Sequence, residues 1–304
     1  MRVTNAQTNA MFTSNMNRNS AAMARLYQQM GNGLRIQQPS DDPIASVRIL
    51  RIQREEAALG QYNKNIVNLS SSLSGAETGL KSASEAVMNI NDLLLWASNG
   101  SSSAEDLRSI AGELQSLEET LVALFNARDE EGRYRYSGTR TDTPALTYDP
   151  ATGRYTMTGN DQHRHAAVSN GVLLDENVTL HEVLGASPEL LNELHALVQT
   201  LQDPALDPTD PGVQRQLSQM LERVDSSHRG ILATMTDLGG RQNNLTLLAD
   251  GNEDASISNQ SLLSQLNSLD YAKATVELKA QELAWQASQK TYMLVNGLSL
   301  FDLM

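Results

Sequence analysis

Few side chains in this sequence could bind a metal, and none of them forms a complete ligand set. Asp161, His163 and His165 have the spacing of a metal cluster, within the polar stretch NDQHRH. A closed transition-metal site usually takes about four ligands, and one histidine pair with one carboxylate supplies too few of them. We therefore interpret the stretch as a polar turn between strands and expect no metal there.

A second stretch has the opening of a calcium-binding loop. Asp250, Asn252 and Asp254 occupy its first three ligand positions. The sixth position is Ala255, where such a loop needs glycine, and the twelfth is Ser261, where it needs a bidentate carboxylate. We interpret this stretch as a polar break between two helices.

The remaining candidates for catalysis are isolated. His228 lies in an apolar pattern, which favours a packed and hydrogen-bonded histidine over a catalytic base. The sequence has no Gly-x-Ser-x-Gly nucleophile motif and no phosphate-binding glycine loop. We therefore expect that the chain is not an enzyme and needs no cofactor.

Long helical patterns dominate the sequence. Between residues 59 and 97, apolar residues recur at alternating steps of three and four, which is the heptad pattern of a helix packed lengthwise on another. After a polar break at 99–103, a second pattern from Leu107 to Leu124 predicts an antiparallel helical hairpin. Further long patterns follow Asp210-Pro211. We predict a mainly α fold, in which the N- and C-terminal regions form a long antiparallel helical rod or coiled coil.

The pattern changes in the middle of the chain. The segment TYDPATGRYTM predicts a β-hairpin around Asp149 to Gly153, and short strand-like segments follow it. We therefore predict a small β-rich insert. The predicted domains are a terminal helical domain (1–40 and 256–304), a helical rod domain (41–136 and 188–255) and a β-rich outer domain (137–187).

Charge and composition exclude several functions. The net charge is −13, and an acidic chain lacks the clustered basic residues that nucleic-acid binding needs. No apolar run is long enough to cross a bilayer, so we expect no membrane insertion. The sequence has no cysteine, which excludes disulfides and thiol catalysis and is compatible with secretion in an unfolded state.

The two ends carry the apolar positions that we expect to bury against other subunits. The N-terminal segment is rich in asparagine, which lowers helix propensity, so it should order only by packing against the C-terminal helix. We hypothesise that the two ends pair firmly only within an assembly. The predicted assembly residues are Met23, Tyr27, Met30 and Leu34 on the N-terminal segment, opposite Leu262, Leu266, Leu269, Val276, Leu283 and Leu294 near the C-terminus.

A proline-flanked acidic motif separates the N-terminal segment from the first long helix. It consists of Pro39, Ser40, Asp41, Asp42 and Pro43. Aspartate before a proline at the first helical position is a good helix start, because the carboxylate caps free backbone N–H groups at the positive end of the helix dipole. We therefore expect a long helix to begin at Pro43.

Several motifs in order along the chain resemble those of the bacterial flagellin family. The Pro-Ser-Asp-Asp-Pro form resembles the family members that join the flagellar hook to the filament, because filament flagellins usually have Lys-Asp-Asp-Ala at this place. The resemblance covers about residues 1–140 and 185–304. The motifs are Gly31 to Ile36 followed by Pro39 to Ile44, then Gln61-Tyr62, Asn65, Glu77 and Leu80, then Asn126, Gly132, Tyr134 and Gly138, then Leu238 to Asn243, and finally Gln286-Ala287-Ser288 with Leu298 to Leu303.

The resemblance implies a structural role in the flagellum. It implies terminal helices that line a tube, a helical rod and an outward β-rich domain. It also implies export in an unfolded state by the flagellar type III apparatus to the extracellular flagellum. The implied partners are further copies of the chain in a ring, the first hook-associated protein, flagellin and an export chaperone. Two alternatives stay open, which are the filament flagellin itself and a secreted coiled-coil protein outside the flagellum.

Overall fold

The computed structural model describes the backbone of residues 2–99 and 102–301 and the side chains of residues 7–99 and 102–294. Helices dominate the described chain, and the predicted mainly α fold with a small β insert is confirmed. The elements are α1 (Arg2–Asn32), α2 (Pro43–Ala97), α3 (Ala104–Phe125), β1 (Leu146–Asp149), β2 (Arg154–Met157), β3 (His165–Ser169), β4 (Val172–Asp175), α4 (Leu180–Leu184), α5 (Glu189–Gln202), α6 (Pro211–Asn267) and α7 (Tyr271–Phe301).

The chain divides into two compact units. Unit 1 comprises Met1–Ala58 and Asp254–Met304, and unit 2 comprises Leu59–Glu253. The β strands and the short helices α4 and α5 all belong to unit 2. The predicted division into three domains stays a prediction, and its boundaries differ from those of the two units.

The core of unit 2 is the heptad pattern of α2, packed against α3, α5 and α6. Leu80, Ile90 and Leu94 of α2 are completely buried there. A capping box starts α3: the Ser103 hydroxyl accepts a bond from the Asp106 N–H, and the Asp106 carboxylate accepts one from the Ser103 N–H. This reciprocal cap ends the turn after α2, and the predicted helical hairpin is confirmed.

The β insert consists of two antiparallel hairpins. In the first hairpin, β1 pairs with β2, as predicted from the turn residues. Leu146 lies opposite Met157 at one end, and Asp149 lies opposite Arg154 at the other. Gly153 ends that turn with a φ of 66°, in the left-handed region that favours glycine. In the second, β3 pairs with β4.

Asparagine side chains attach both hairpins to the long helices of unit 2. Asn126, at the end of α3, accepts a bond from the Leu146 N–H at 2.9 Å and donates one to the Leu146 carbonyl at 3.0 Å. Asn65 of α2 donates to the Ala167 carbonyl at 2.7 Å. Each amide thus replaces the strand partner that a two-stranded hairpin lacks at its edge.

Tyr136 anchors the segment between α3 and β1. Its ring is 1% exposed and packs edge-on against Phe125, and its hydroxyl donates to the Ala76 carbonyl at 3.0 Å. Burial raises the pKa of this hydroxyl to about 12. The ring needs glycine on α2, because a Cβ at Gly79 would lie 2.5 Å from the Tyr136 hydroxyl oxygen.

The predicted polar break at Asp250–Asp254 is wrong, since α6 runs through it. Asn252 is 4% exposed and donates to the Val168 carbonyl at 3.0 Å and to the Asn63 side chain at 3.3 Å. These partners satisfy the amide inside the helix, so its polarity no longer favours a break. The helix ends instead at Asn267.

In unit 1, the break between α6 and α7 pairs with the break after α1. The Arg35 N–H donates to the Asn267 carbonyl at 2.8 Å, and the Leu269 N–H donates to the Gly33 carbonyl at 2.9 Å. Gly33 has a φ of 73°, which lets the chain leave α1 sharply. One hydrogen-bonded corner therefore lies at the end of α1 and at the start of α7.

The acidic motif builds the other side of this corner. Asp41 accepts bonds from the N–H groups of Gln37 and Gln38, and these bonds hold its pKa below the ordinary value, with the Arg25 guanidinium adding to the effect. Asp42 accepts a bond from the Ala45 N–H at 3.0 Å. That bond, with Arg35 at 3.3 Å, lowers the pKa of Asp42. α2 begins at Pro43, and Pro39 and Ser40 lie in the exposed turn before it.

We expect the corner to open in acid. Both folded pKa values lie below the ordinary 3.8, so the carboxylates stabilise the corner fully above that value and lose this contribution as the pH falls through the folded values. In a Trp96→Phe background, the fluorescence of Trp285 in unit 1 should therefore change below about pH 4.

The matched variants separate the corner from general acid unfolding. The double variant Asp41→Asn/Asp42→Asn should lose this transition, whereas Asp250→Asn, an exposed aspartate of unit 2, should keep it. An unchanged acid transition in the double variant would contradict the assignment.

We also expect Asn126→Ala to destabilise unit 2. It leaves the N–H and the carbonyl of Leu146 without their partners, which costs about 1–3 kcal/mol for a buried group. Urea denaturation measures the loss. Asn243→Ala, at an exposed position of α6, should stay within about 0.5 kcal/mol of the parent. Equal changes in the free energy of unfolding for the two variants would mean that the bonds between Asn126 and Leu146 do not contribute to stability.

Candidate subunit interface

The first and last helices pack antiparallel to each other within unit 1. The rings of Phe12 and Tyr292 meet edge-on, with centroids 6.3 Å apart. The Tyr27 hydroxyl donates to Glu282 at 3.2 Å, and the Tyr271 hydroxyl donates to the Met30 carbonyl at 3.1 Å. The start of α1 thus meets the end of α7, and the hypothesised pairing of the two chain ends is present within one chain.

Small and medium side chains fill the space between α1 and α7. Ala274 and Leu278 of α7 are 3% and 8% exposed, and Leu26 of α1 is 8% exposed. Met23 and Met30 lie one turn to either side of Leu26 and are half-buried. The asparagines of α1 leave few apolar residues for this contact, so it buries a narrow stripe.

The predicted apolar pattern of α7 does not face α1. Val276, Leu283 and Leu294 are 69%, 65% and 68% exposed. Within one chain these three residues therefore do not pack against the N-terminal residues, and their contact with other subunits stays a prediction. The reason is that α7 carries two patterns of similar spacing, and the one with the larger rings, Trp285 and Tyr292, lies toward α1.

The ten predicted assembly residues therefore fall into two groups. Leu266 packs against the small cluster formed by Ile36, Ala45 and Ile49, where α6 meets the start of α2 in unit 1. The half-buried group is Met23, Met30, Leu266 and Leu269. The exposed group is Tyr27, Leu34, Leu262, Val276, Leu283 and Leu294.

The exposed apolar residues of α7 form one continuous face. At 3.6 residues per turn, they lie within an arc of about 60° and opposite Ala274. We call this surface the outer face of α7, and it consists of Val276, Ala280, Leu283, Ala287 and Leu294. Its alanines leave room for another backbone to approach closely. No described residue covers it.

Charged groups stand beside the outer face. Lys279 bonds to Glu282 at 2.7 Å, which raises the pKa of the lysine and lowers that of the glutamate. The Tyr27 hydroxyl shares the same carboxylate. Lys273 and Lys290 are exposed at the two edges of the face. The face is thus an apolar stripe with a charged border, the usual arrangement of a protein–protein contact.

The histidines that the sequence singled out as candidate metal ligands or catalytic groups bond to neighbouring side chains instead. His165 bonds to Asp175 at 2.7 Å and His163 to Glu182 at 3.1 Å, while Asp161 is exposed beside them. The His228 ring bonds to the Ser84 hydroxyl at 2.9 Å. Within the described ranges, no group of three or more His, Cys, Asp or Glu side chains is arranged to hold a metal. Nor is any helix of those ranges long and apolar enough to cross a membrane.

Two predicted motifs at the C-terminus have different outcomes. Gln286-Ala287-Ser288 lies in α7, with Ala287 on the outer face and Ser288 bonded to the Ala284 carbonyl. The side chains of Leu298 to Leu303 lie outside the described residues. The inward-facing residues of α7 were not among the predicted residues, although the seven-residue spacing of Trp285 and Tyr292 marks a second apolar pattern in the sequence.

Comparison with known proteins agrees with this architecture. The profile of the bacterial flagellin N-terminal helical region matches residues 3–141. The flagellar hook-associated protein 3 of Salmonella typhimurium is 27% identical over 318 residues, which cover 97% of this chain and 98% of that protein. Its namesake in Escherichia coli K12 is 26% identical over the same length.

A solved structure is similar to this chain in both sequence and fold. A flagellar hook-associated protein from Vibrio parahaemolyticus is 35% identical and superposes with a TM-score of 0.68. The match covers 75% of this chain and all of that one. The chain therefore belongs to the family of flagellar hook-associated proteins within the bacterial flagellins.

Proposed function

We propose that this chain is a structural subunit of the flagellum that joins the hook to the filament, and that the outer face of α7 is its main contact with neighbouring subunits. The observation that carries the proposal is the pair of faces on α7. One face packs on α1, and the other is apolar and exposed. An apolar stripe on a helix normally packs against another element, and α7 has two such stripes with only one of them covered.

The size of this face indicates how the subunits associate. Burying the exposed part of Val276, Leu283 and Leu294 contributes about 1–2 kcal/mol for each side chain. Association of two proteins costs several kcal/mol or more in lost translational and rotational freedom. One such face therefore holds two free subunits only weakly. A closed ring or tube, in which each subunit contacts several neighbours at once, provides the remaining stability.

The other exposed residues of the predicted set would extend this contact. Tyr27 and Leu34 lie on the α1 side of unit 1, and Leu262 lies near the end of α6. We assign them to contacts with adjacent copies in the ring, with the first hook-associated protein on one side and with flagellin on the other. The half-buried residues of the set instead support the packing within one chain.

An exposed apolar helix must also be protected before assembly. We propose that an export chaperone covers the outer face of α7 until the flagellar type III apparatus secretes the chain to the extracellular flagellum. The absence of cysteine supports this route, because no disulfide has to form or break during transport. The role is structural, and no chemistry is assigned to any side chain.

The test is complementation of a strain from which the gene is deleted. The deletion strain should make hooks without filaments and shed flagellin into the medium, as seen by electron microscopy and by assay of the medium. The parent gene should restore swimming. Leu283→Asp should fail to restore it, because the substitution places a charge in the proposed contact. Leu247→Asp is the matched control, since Leu247 is a 69% exposed leucine on α6 of unit 2.

Three outcomes would contradict the proposal. Normal filaments on the deletion strain would exclude the junction role. Micrometre filaments formed by the purified chain alone would favour the filament flagellin. Full swimming with Leu283→Asp, at a normal level of secreted protein, would remove the outer face of α7 from the assembly.

A further inference from the structure

A second exposed apolar surface lies in unit 2, between α2 and α3. Two open cavities of about 490 Å³ and 350 Å³ share Leu93, Trp96 and Glu113 and together form a groove. Leu117 and Ile110 line its apolar floor. Trp96 stands at its edge with 72% of its surface exposed. Tryptophan side chains are enriched at the centres of protein contacts, and here a large one is left uncovered.

The rim of this groove is acidic. Asp92 and Glu113 line it, and neither forms an ion pair with another described residue. No lysine or arginine is among the described residues that line either cavity. Along α3 the groove extends from Asp106 to Leu117, which is about 16 Å at 1.5 Å per residue. It therefore suits two to three turns of a helix that carries both apolar and basic side chains.

The beginning of α2, in unit 1, has these properties. Ile44, Val47 and Leu50 are 71%, 68% and 50% exposed, on the side of the helix away from the buried Ala45 and Ile49. Three exposed arginines alternate with them, at positions 48, 51 and 54. None of the three forms an ion pair within the part of the chain that the structure describes. We call residues 44–54 the basic face of α2, and its length matches that of the groove.

We propose that the groove beside Trp96 in one copy of the chain binds the basic face of α2 in the next copy. Apolar side chains of the face would cover Trp96, Leu93 and Leu117, and its arginines would meet Asp92 and Glu113. Charge complementarity selects this occupant, since the groove is acidic and the face is basic. Both surfaces belong to the single helix α2, so the occupant comes from another copy.

Such a contact joins two different surfaces, so each copy can bind one neighbour through its groove and a second neighbour through its basic face of α2. Contacts of this kind close into a ring when the rotation between neighbours allows it. This inference rests on the proposed function, because it adds a second contact between copies in the same assembly. It uses α2 and α3, whereas the proposed function uses α7, and the two can fail separately.

Disulfide cross-linking tests the contact in assembled flagella. The chain has no cysteine, so introduced thiols have no competitor within it. We would express Arg51→Cys/Asp92→Cys in the deletion strain, confirm swimming, isolate flagella and oxidise them. The expected product is a ladder of covalent multimers of the chain, because every copy can link on both sides. Arg51→Cys alone, Asp92→Cys alone and Asp92→Cys with Arg215→Cys, an exposed arginine of α6, should stay monomeric.

A charge swap provides a test that does not depend on thiols. Asp92→Arg/Glu113→Arg should reduce swimming, and adding Arg48→Glu/Arg51→Glu to the same gene should restore it. The second pair alone should also be defective. Restoration is the informative result, because a merely misfolded variant would not be rescued by two further substitutions.

Several results would overturn the inference. These are swimming cells whose oxidised flagella contain only monomer, an adduct with a different protein but no multimers of the chain, or no rescue in the charge swap. If any of them occurred while Leu283→Asp still abolished assembly, the proposed function would stand and the groove contact alone would be rejected. If Leu283→Asp assembled normally and the oxidised flagella still showed covalent multimers, the groove contact would stand and the outer face of α7 would be rejected as a contact.

Discussion

The terminal part of unit 1 and the proposed assembly both depend on the packing of α7 against α1, because this contact covers only one of the two apolar sides of α7. Ala274 and Leu278 are buried in it, while Leu283, on the opposite side, is 65% exposed. α1 is too poor in large apolar residues to do more, since asparagines occupy many of its positions. A chain with a better N-terminal partner would be more stable alone and would have less reason to assemble. The limited pairing within one chain and the proposed assembly thus follow from the same composition.

Each of the two units has its own internal support. The corner of unit 1 ties both terminal helices to one set of backbone hydrogen bonds, and Asp41 and Asp42 start α2 beside it. In unit 2 the heptad core forms one support, and the asparagine clamps fix the β hairpins on it. This organisation agrees with that of a protein of the flagellar hook-associated family.

Local signals in the sequence were sufficient for much of the fold. The heptad spacing of α2 and α3 gave their hairpin, and Asp149 to Gly153 gave the first β turn, because both depend on neighbouring residues. Two features could not be read in this way. The polarity of Asn252 predicts a break until its partners on β3 and α2 are known. The orientation of α7 is equally hidden, because both of its apolar patterns have the same period. The groove beside Trp96 needed the structure as well, since it is formed by two separate helices.

The central claim is that the outer face of α7 is bare in the free subunit and covered in the flagellum. Hydrogen exchange of α7, measured by mass spectrometry on the secreted monomer and on isolated flagella, tests this claim most directly. We expect the amides of residues 271–294 to exchange rapidly in the monomer and at least about a hundredfold more slowly in the assembly, because about 3 kcal/mol of added stability has that effect. Equal protection in the two states would contradict the account, since α7 would then owe its order to contacts within one chain.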